Sequence, residues 1–151
     1  MTILADELAN DPLGVGYAQW LPHAPGMVVQ LLNAPSYTMI KPLMMSERGV
    51  LAQYPDGPVA ADAVLTKLDT FAQTQHALAS VVRRALRFLG TDGGIDMGSP
   101  ATQSMLDAVQ QAGVLTASET QKLKALALQP ASRAEVLGLG VVTEAQVVEA
   151  A

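Results

Sequence analysis

Cysteine is absent from the 151 residues of this sequence. Disulfide bonds, thiolate zinc sites, iron–sulfur clusters and cysteine nucleophiles are therefore excluded. Aromatic residues are scarce, at 4% of the chain, whereas 24 alanines and 20 leucines dominate the apolar half of the composition. Alanine and leucine are strong helix formers, so this composition disfavours an all-β sandwich.

An excess of positive charge is also missing. The chain contains 9 basic and 14 acidic residues, which gives a formal net charge of −5 at pH 7 and a sequence pI near 4.8. A surface of this sign repels phosphate backbones and anionic lipid headgroups. We therefore expect no nucleic acid and no membrane among the partners of the protein.

Long apolar runs are absent too. The stretch Met27–Leu32 is among the longest and is interrupted by Gln30, whereas a membrane-spanning helix needs about 18 apolar residues in succession. The first ten residues carry Asp6 and Glu7 and lack the positively charged start of a secretory signal. The sequence thus predicts a chain that is neither membrane-inserted nor exported.

Proline is concentrated at one end of the chain. Seven of the nine prolines lie within the first 58 residues, so long helices are excluded there. Short helices are predicted over residues 3–10 and from Pro25 to Asn33, and residues 36–45 are predicted to be extended. A further helical turn is predicted to begin at Ser46.

After Pro58, apolar residues recur with a helical spacing as far as residue 89. They alternate in steps of four and three residues, which is typical of helices packed side by side. The positions are Val64, Leu68, Phe71, Gln75, Leu78, Val82, Ala85 and Leu89, of which Gln75 is the one polar residue. The spacing predicts either one helix of about 30 residues or two helices with a break within residues 70–75.

Four capping signals divide the rest of the chain into helices. Ser99 precedes a proline, and Thr116, Ser132 and Thr143 each stand three residues before Glu or Gln, as in a capping box. The predicted helices are joined by short connections, which favour antiparallel neighbours.

These patterns together predict an all-α fold. The expected architecture is a small antiparallel helical bundle with a proline-rich, partly extended N-terminal arm. In this interpretation residues 1–57 form the arm, with short helices and loops, and residues 58–151 form the helical bundle.

Residue types that carry enzyme chemistry are scattered. His23 and His76 lie in different predicted elements, and no second metal ligand stands three or four residues from His76. The loop from Asp92 to Asp96 has two carboxylates but lacks the alternating oxygen ligands of a calcium loop. We therefore predict a protein that is not an enzyme, with no catalytic, cofactor-binding or metal site.

Two sets of side chains are instead candidates for binding a protein partner. An apolar set lies in the predicted arm, which either packs against a neighbouring subunit or folds over its own bundle. A basic set lies near the C-terminal end of the long helical stretch, where arginines either complement the helix dipole or bind an acidic partner. The candidates are Leu21, Met27, Val28, Leu31, Met39, Leu43, Met44, Arg83, Arg84 and Arg87.

Segments at both ends of the chain resemble a known family. Residues 10–17 read Asn-Asp-Pro-Leu-Gly-Val-Gly-Tyr, and Leu-Leu-Asn follows at residues 31–33. Gly-Val-Leu-Thr stands at residues 113–116, and Ser-Arg-Ala-Glu-Val-Leu-Gly-Leu-Gly at residues 132–140. In these segments the chain is similar to a family of small tailed-bacteriophage structural-module proteins.

The resemblance implies a product of a phage morphogenesis module without a known catalytic site. It predicts a non-enzymatic structural component of the virion, attached at the tail, the tail fibres or the neck. Other virion proteins would be its partners in a symmetric multi-copy assembly, and the chain would be made in the host cytoplasm and retained in the virion. The alternatives are a capsid cement protein, or a cytoplasmic assembly chaperone or regulator that is not retained in the particle.

Overall fold

A computed structural model of the protein describes residues 2–151. Within these residues, nine α-helices and four short strands follow one another along the chain. In chain order they are α1 (Ile3–Asn10), α2 (Pro25–Asn33), β1 (Tyr37–Ile40), β2 (Met44–Met45), α3 (Glu47–Gln53), α4 (Pro58–Ala72), α5 (Ala79–Leu89), β3 (Ile95–Asp96), α6 (Pro100–Gln111), α7 (Ala117–Lys124), β4 (Leu128–Ala131), α8 (Arg133–Val136) and α9 (Glu144–Ala150).

The prediction of an all-α fold is wrong. The four strands form two two-stranded sheets, in which β1 pairs with β4 and β2 pairs with β3. The fold is therefore mixed, with many helices and two small sheets. Local periodicity missed the sheets because each pairs segments that lie far apart in the sequence.

The chain divides into two compact units, which also differ from the predicted arm and bundle. Unit 1 combines Met1–Met39 with Gln129–Ala151, and unit 2 is Ile40–Leu128. The predicted boundary after residue 57 falls inside unit 2. Val50 and Tyr54, on the arm side of that boundary, are 1% and 4% exposed in the core of unit 2.

Unit 1 has a hydrophobic core of its own. Tyr17, Val28, Leu32 and Val147 are fully buried there. Helix α2 packs against both α8 and α9, so the first and last segments of the chain enclose this core together. Of the two interpretations of the predicted arm, the structure supports folding against the same chain, because short helices broken by prolines bury apolar side chains against the other end of the chain. The segment predicted to be extended, residues 36–45, contains strands β1 and β2.

Unit 2 contains the apolar spacing that the sequence shows after Pro58. The structure has two helices there, α4 and α5, separated by residues 73–78. Gln75 is exposed in this connection, whereas Val64, Leu68 and Val82 are buried. The Phe71 carbonyl oxygen near the end of α4 accepts from both the hydroxyl of Thr74 at 2.7 Å and its amide at 3.0 Å, which closes the helix there.

All four capping signals are confirmed. The Ser99 hydroxyl accepts from the Thr102 amide at 3.1 Å at the start of α6. Thr116, Ser132 and Thr143 begin α7, α8 and α9, each with a reciprocal capping box. These helix starts are correct because a cap is a local interaction between residues three apart.

Asp96 ties the second sheet together in unit 2. Strands β2 and β3 are antiparallel, with Met44 opposite Asp96. Asp96 Oδ1 accepts from the amides of Leu43 at 2.8 Å and Gly98 at 3.0 Å. The two segments approach so closely that a Cβ atom on Gly98 would lie 1.7 Å from the Lys41 carbonyl oxygen.

Candidate interaction surface

Helix α5 presents two different faces. On one side Ala79, Val82 and Leu89 are buried in the core of unit 2. The opposite side, which we call the α5 face, consists of the exposed residues Ser80, Val81, Arg84, Arg87 and Phe88. Its residues recur every three to four positions, so they form one continuous stripe along the helix.

Arg83 lies beside this stripe but has a structural role. Its Nε and Nη2 atoms donate to the Ala72 carbonyl oxygen at 3.1 and 2.8 Å. Ala72 is the last residue of α4, where carbonyl groups have no partner within the helix. Arg83 therefore joins α5 to the end of α4 and is occupied within unit 2.

Arg84 and Arg87 have no carboxylate partner in the part of the chain that the structure describes. The lysines of α4 and α7 behave differently, since each pairs with a carboxylate: Lys67 with Glu119, Lys122 with Asp56 and Lys124 with Asp107. The two arginines thus present ten guanidinium N–H groups that no carboxylate of unit 2 neutralises.

Phe88 gives the α5 face an apolar centre. Its side chain is 59% exposed, and Val81 is 49% exposed. Phe88 lines a surface groove with Ser80, Arg83, Arg84 and Arg87. Arginine and aromatic side chains are enriched where proteins bind one another, because they combine apolar contact with directed hydrogen bonds. This surface is suited to a partner that offers carboxylates beside an apolar side chain.

The apolar candidates from the predicted arm differ in how far their side chains are buried. Val28 is fully buried inside unit 1 and cannot contact a partner in this fold. Leu21 and Leu31 pack against the same core. Met27, Met39 and Leu43 are half-buried, and Met44 is exposed at 61%. Three of the seven side chains, Leu21, Val28 and Leu31, thus complete the core of unit 1, which explains their apolar character without a partner.

A buried ion pair that sequence reasoning missed lies in unit 1. Glu7, on α1, is 4% exposed. Its Oε1 and Oε2 atoms accept from Arg133 Nε at 2.8 Å and Arg133 Nη2 at 2.9 Å. The buried Tyr17 hydroxyl donates to Glu7 Oε1 at 3.0 Å. This bidentate ion pair joins Glu7, near the start of the chain, to Arg133, which is 126 positions away.

The pKa values reflect this network. Hydrogen bonding to Arg133 is the main cause that lowers the pKa of Glu7, against the opposing effect of burial. Burial, followed by the hydrogen bond to Glu7, raises the pKa of Tyr17 strongly. The same pairing raises the pKa of Arg133. At neutral pH the network therefore consists of a carboxylate, a guanidinium and a neutral phenol.

Three of the segments that carry the family resemblance, residues 10–17, 31–33 and 132–140, lie in unit 1, whereas residues 113–116 lie in unit 2. Asp11 Oδ1 and Oδ2 accept from the amides of Val15 and Gly16, both at 2.7 Å, which fixes the loop before Tyr17. Gly16 has φ +93°, a conformation that a side chain disfavours. The Asn33 side chain donates to the Val142 carbonyl oxygen at 2.8 Å and accepts from its amide at 3.0 Å. Together with the pair of Glu7 and Arg133, these bonds join the motifs at the two chain ends.

Neither histidine takes part in a site with other reactive groups. His23 is exposed in a turn, and His76 Nδ1 accepts from the Leu78 amide at 3.0 Å in the connection between α4 and α5. Among residues 2–151, no group of three or more histidine or carboxylate side chains is arranged to hold a metal ion. Over the same residues, no helix has the length and apolar character required to cross a membrane.

No family model, curated protein or solved structure matches this chain significantly.

Proposed function

We propose that the protein is a non-enzymatic structural component of a tailed-phage virion, attached at the tail, the tail fibres or the neck. The observation that carries the proposal is the α5 face, where Arg84 and Arg87 flank the exposed Phe88 without a carboxylate partner. A surface of this composition is suited to protein binding. The assignment to a phage virion is based on the resemblance of the two chain ends to phage structural-module proteins.

The motif residues support the proposal because they have structural tasks. Asp11, Asn33 and Arg133 fix loops and chain ends in unit 1, and none of the three is grouped with a nucleophile or a metal-binding cluster. In this proposal unit 1 is the scaffold that contains most of the resembling segments, and unit 2 supplies the α5 face.

Quantitative mass spectrometry of purified particles tests the proposal. Wild-type chain is expected at a fixed copy number in particles of the phage that encodes it. The double variant Arg84→Glu/Arg87→Glu is expected to be incorporated about tenfold less, because it removes two charge-assisted contacts at the centre of the interface. The matched control is Arg48→Glu, which reverses an exposed charge on α3 of the same unit and is expected to leave incorporation unchanged.

Two outcomes would contradict the proposal. If the wild-type chain is absent from purified particles but abundant in infected cells, the assembly chaperone is the better account. If the double variant is incorporated at the wild-type copy number, the α5 face does not join the chain to the particle.

A further inference from the structure

Charge is divided unequally between the two units. Unit 1 has one basic residue, Arg133, and six acidic ones: Asp6, Glu7, Asp11, Glu135, Glu144 and Glu149. The other eight basic and eight acidic residues lie in unit 2. The formal charge of −5 therefore resides entirely on unit 1, whereas the two unpaired arginines of the α5 face belong to unit 2.

Unit 1 also has a groove of about 530 Å³ between α1 and α9. Its apolar lining includes Ile3, Leu4, Leu139 and Ala150, and Ile3 is 56% exposed. Glu149 lines the groove from α9. We call this surface, together with Asp6, the α1/α9 groove.

A second carboxylate, Asp6, lies on α1 near the groove but outside its lining. It is exposed and follows Ile3 by one turn on α1. Asp6 and Glu149 form no ion pair within the described residues. The surface thus combines a largely apolar groove, lined by the carboxylate of Glu149, with the carboxylate of Asp6 one turn from Ile3, and neither carboxylate has an ion-pair partner among the described residues.

We propose that the α5 face of one molecule binds the α1/α9 groove of a second copy of the same chain. The two surfaces are complementary in apolar contact and in charge. Phe88, which is 59% exposed, supplies an aromatic ring for the apolar groove, and burial of its exposed part removes apolar area from water. Arg84 and Arg87 supply cations for Asp6 and Glu149, which Arg can bind through paired hydrogen bonds.

This contact is head-to-tail, because it joins different surfaces of two identical chains. A head-to-tail contact leaves one α5 face and one α1/α9 groove open at the ends of every chain of molecules. Such contacts generate closed rings when the rotation closes, or helical filaments when it does not. The inference deepens the proposed function by naming the partner, a second copy of the chain. It rests on the α5 face assigned there, and self-association of the purified chain is measurable without a virion.

Charge-swap sedimentation experiments test the inference on the full chain. The wild-type protein is expected to associate at low salt, about 50 mM, and to dissociate progressively toward about 500 mM, because salt screens exposed charges. Arg84→Glu/Arg87→Glu and Asp6→Lys/Glu149→Lys are each expected to weaken association by about 100-fold. An equimolar mixture of the two variants is expected to associate again, since each then offers the charge that the other lacks.

Thermal unfolding of each variant is the control for correct folding. All four side chains are exposed, so both double variants are expected to melt like the parent. If either does not, the neutral substitutions Arg84→Gln/Arg87→Gln and Asp6→Asn/Glu149→Gln replace it, with weakening of association by about tenfold each. Arg48→Glu again serves as the matched control and is expected to associate like the wild type.

The inference is overturned by any of three results. The wild-type chain could stay monomeric at low salt up to high concentration. Both double variants could associate as strongly as the wild type, which would place the contact elsewhere. The mixture of variants could fail to recover association, which would show that the two surfaces do not face each other. An associating chain that is missing from purified particles would leave the inference intact and contradict only the virion assignment.

Discussion

Arg133→Met is expected to lower the free energy of unfolding of unit 1 by about 3–5 kcal/mol, because it leaves the Glu7 carboxylate buried without its cation. Glu7 is 4% exposed and has no other cationic partner among residues 2–151. A loss of this size is a large part of the total stability of a typical domain, about 5–15 kcal/mol. Trp20 is the single tryptophan and packs against the unit 1 core, so its fluorescence during urea unfolding measures the effect.

The pH dependence of the free energy of unfolding distinguishes loss of the ion pair from a general loss of packing. The pKa of Glu7 is lowered in the folded chain, so the stability from the ion pair is present above the unfolded pKa and is lost as the pH falls through the folded value. In Arg133→Met the carboxyl group can take up a proton as the pH falls, which removes the penalty of the buried charge. The difference between wild type and variant should therefore shrink in acid, and Glu7→Gln/Arg133→Met should be more stable than Arg133→Met alone. A difference that is constant with pH would contradict the assignment.

Gly98→Ala is expected to destabilise unit 2 by about 3 kcal/mol, at the upper end of overpacking effects. The added Cβ would lie 1.7 Å from the Lys41 carbonyl oxygen and 2.4 Å from its carbon, and both are backbone atoms that cannot rotate away. The segments around β2 and β3 would have to separate, with loss of the hydrogen bond from the Leu43 amide to Asp96. Urea unfolding followed by far-UV circular dichroism measures the loss.

Gly93→Ala is the matched control for this prediction. Gly93 lies in the same glycine-rich loop, but nothing is within 4 Å of the Cβ that alanine would add. Its effect is expected to stay within about 0.5 kcal/mol. Equal stability of the two alanine variants would show that the close approach at Gly98 is absent in solution.

The helices of this protein were largely predictable from the sequence because their signals are local. Proline and capping residues correctly placed the starts of α2, α6, α7 and α9, since a cap depends on residues three positions apart. The sheets and the division into units depend instead on contacts between distant segments. Strand β3 lies in a glycine-rich loop whose composition indicates a turn, and only the approach of β2 makes it a strand.

One feature of the sequence indicates the ion pair in unit 1. Glu7 stands between Leu4 and Leu8, on the side of α1 that faces the core, so a carboxylate there requires a partner. The identity of that partner is not encoded locally, because Arg133 is 126 positions away. On helix α5, the pattern of charges predicted that Arg83, Arg84 and Arg87 all bind a partner. Only the contacts in the structure distinguish Arg83, which donates to a backbone carbonyl oxygen, from the other two.

Photo-crosslinking from position 88 in purified particles tests most directly the claim that the α5 face joins this chain to another copy in a virion. A photoreactive phenylalanine analogue at Phe88 preserves the aromatic contact and reports what lies against it. The account predicts crosslinks to α1 or α9 of another copy, whereas the same analogue at Val59, which is 84% exposed on α4, should give few. Particles that contain the chain but yield no crosslink from position 88, or yield crosslinks from it only to other segments, would contradict the account.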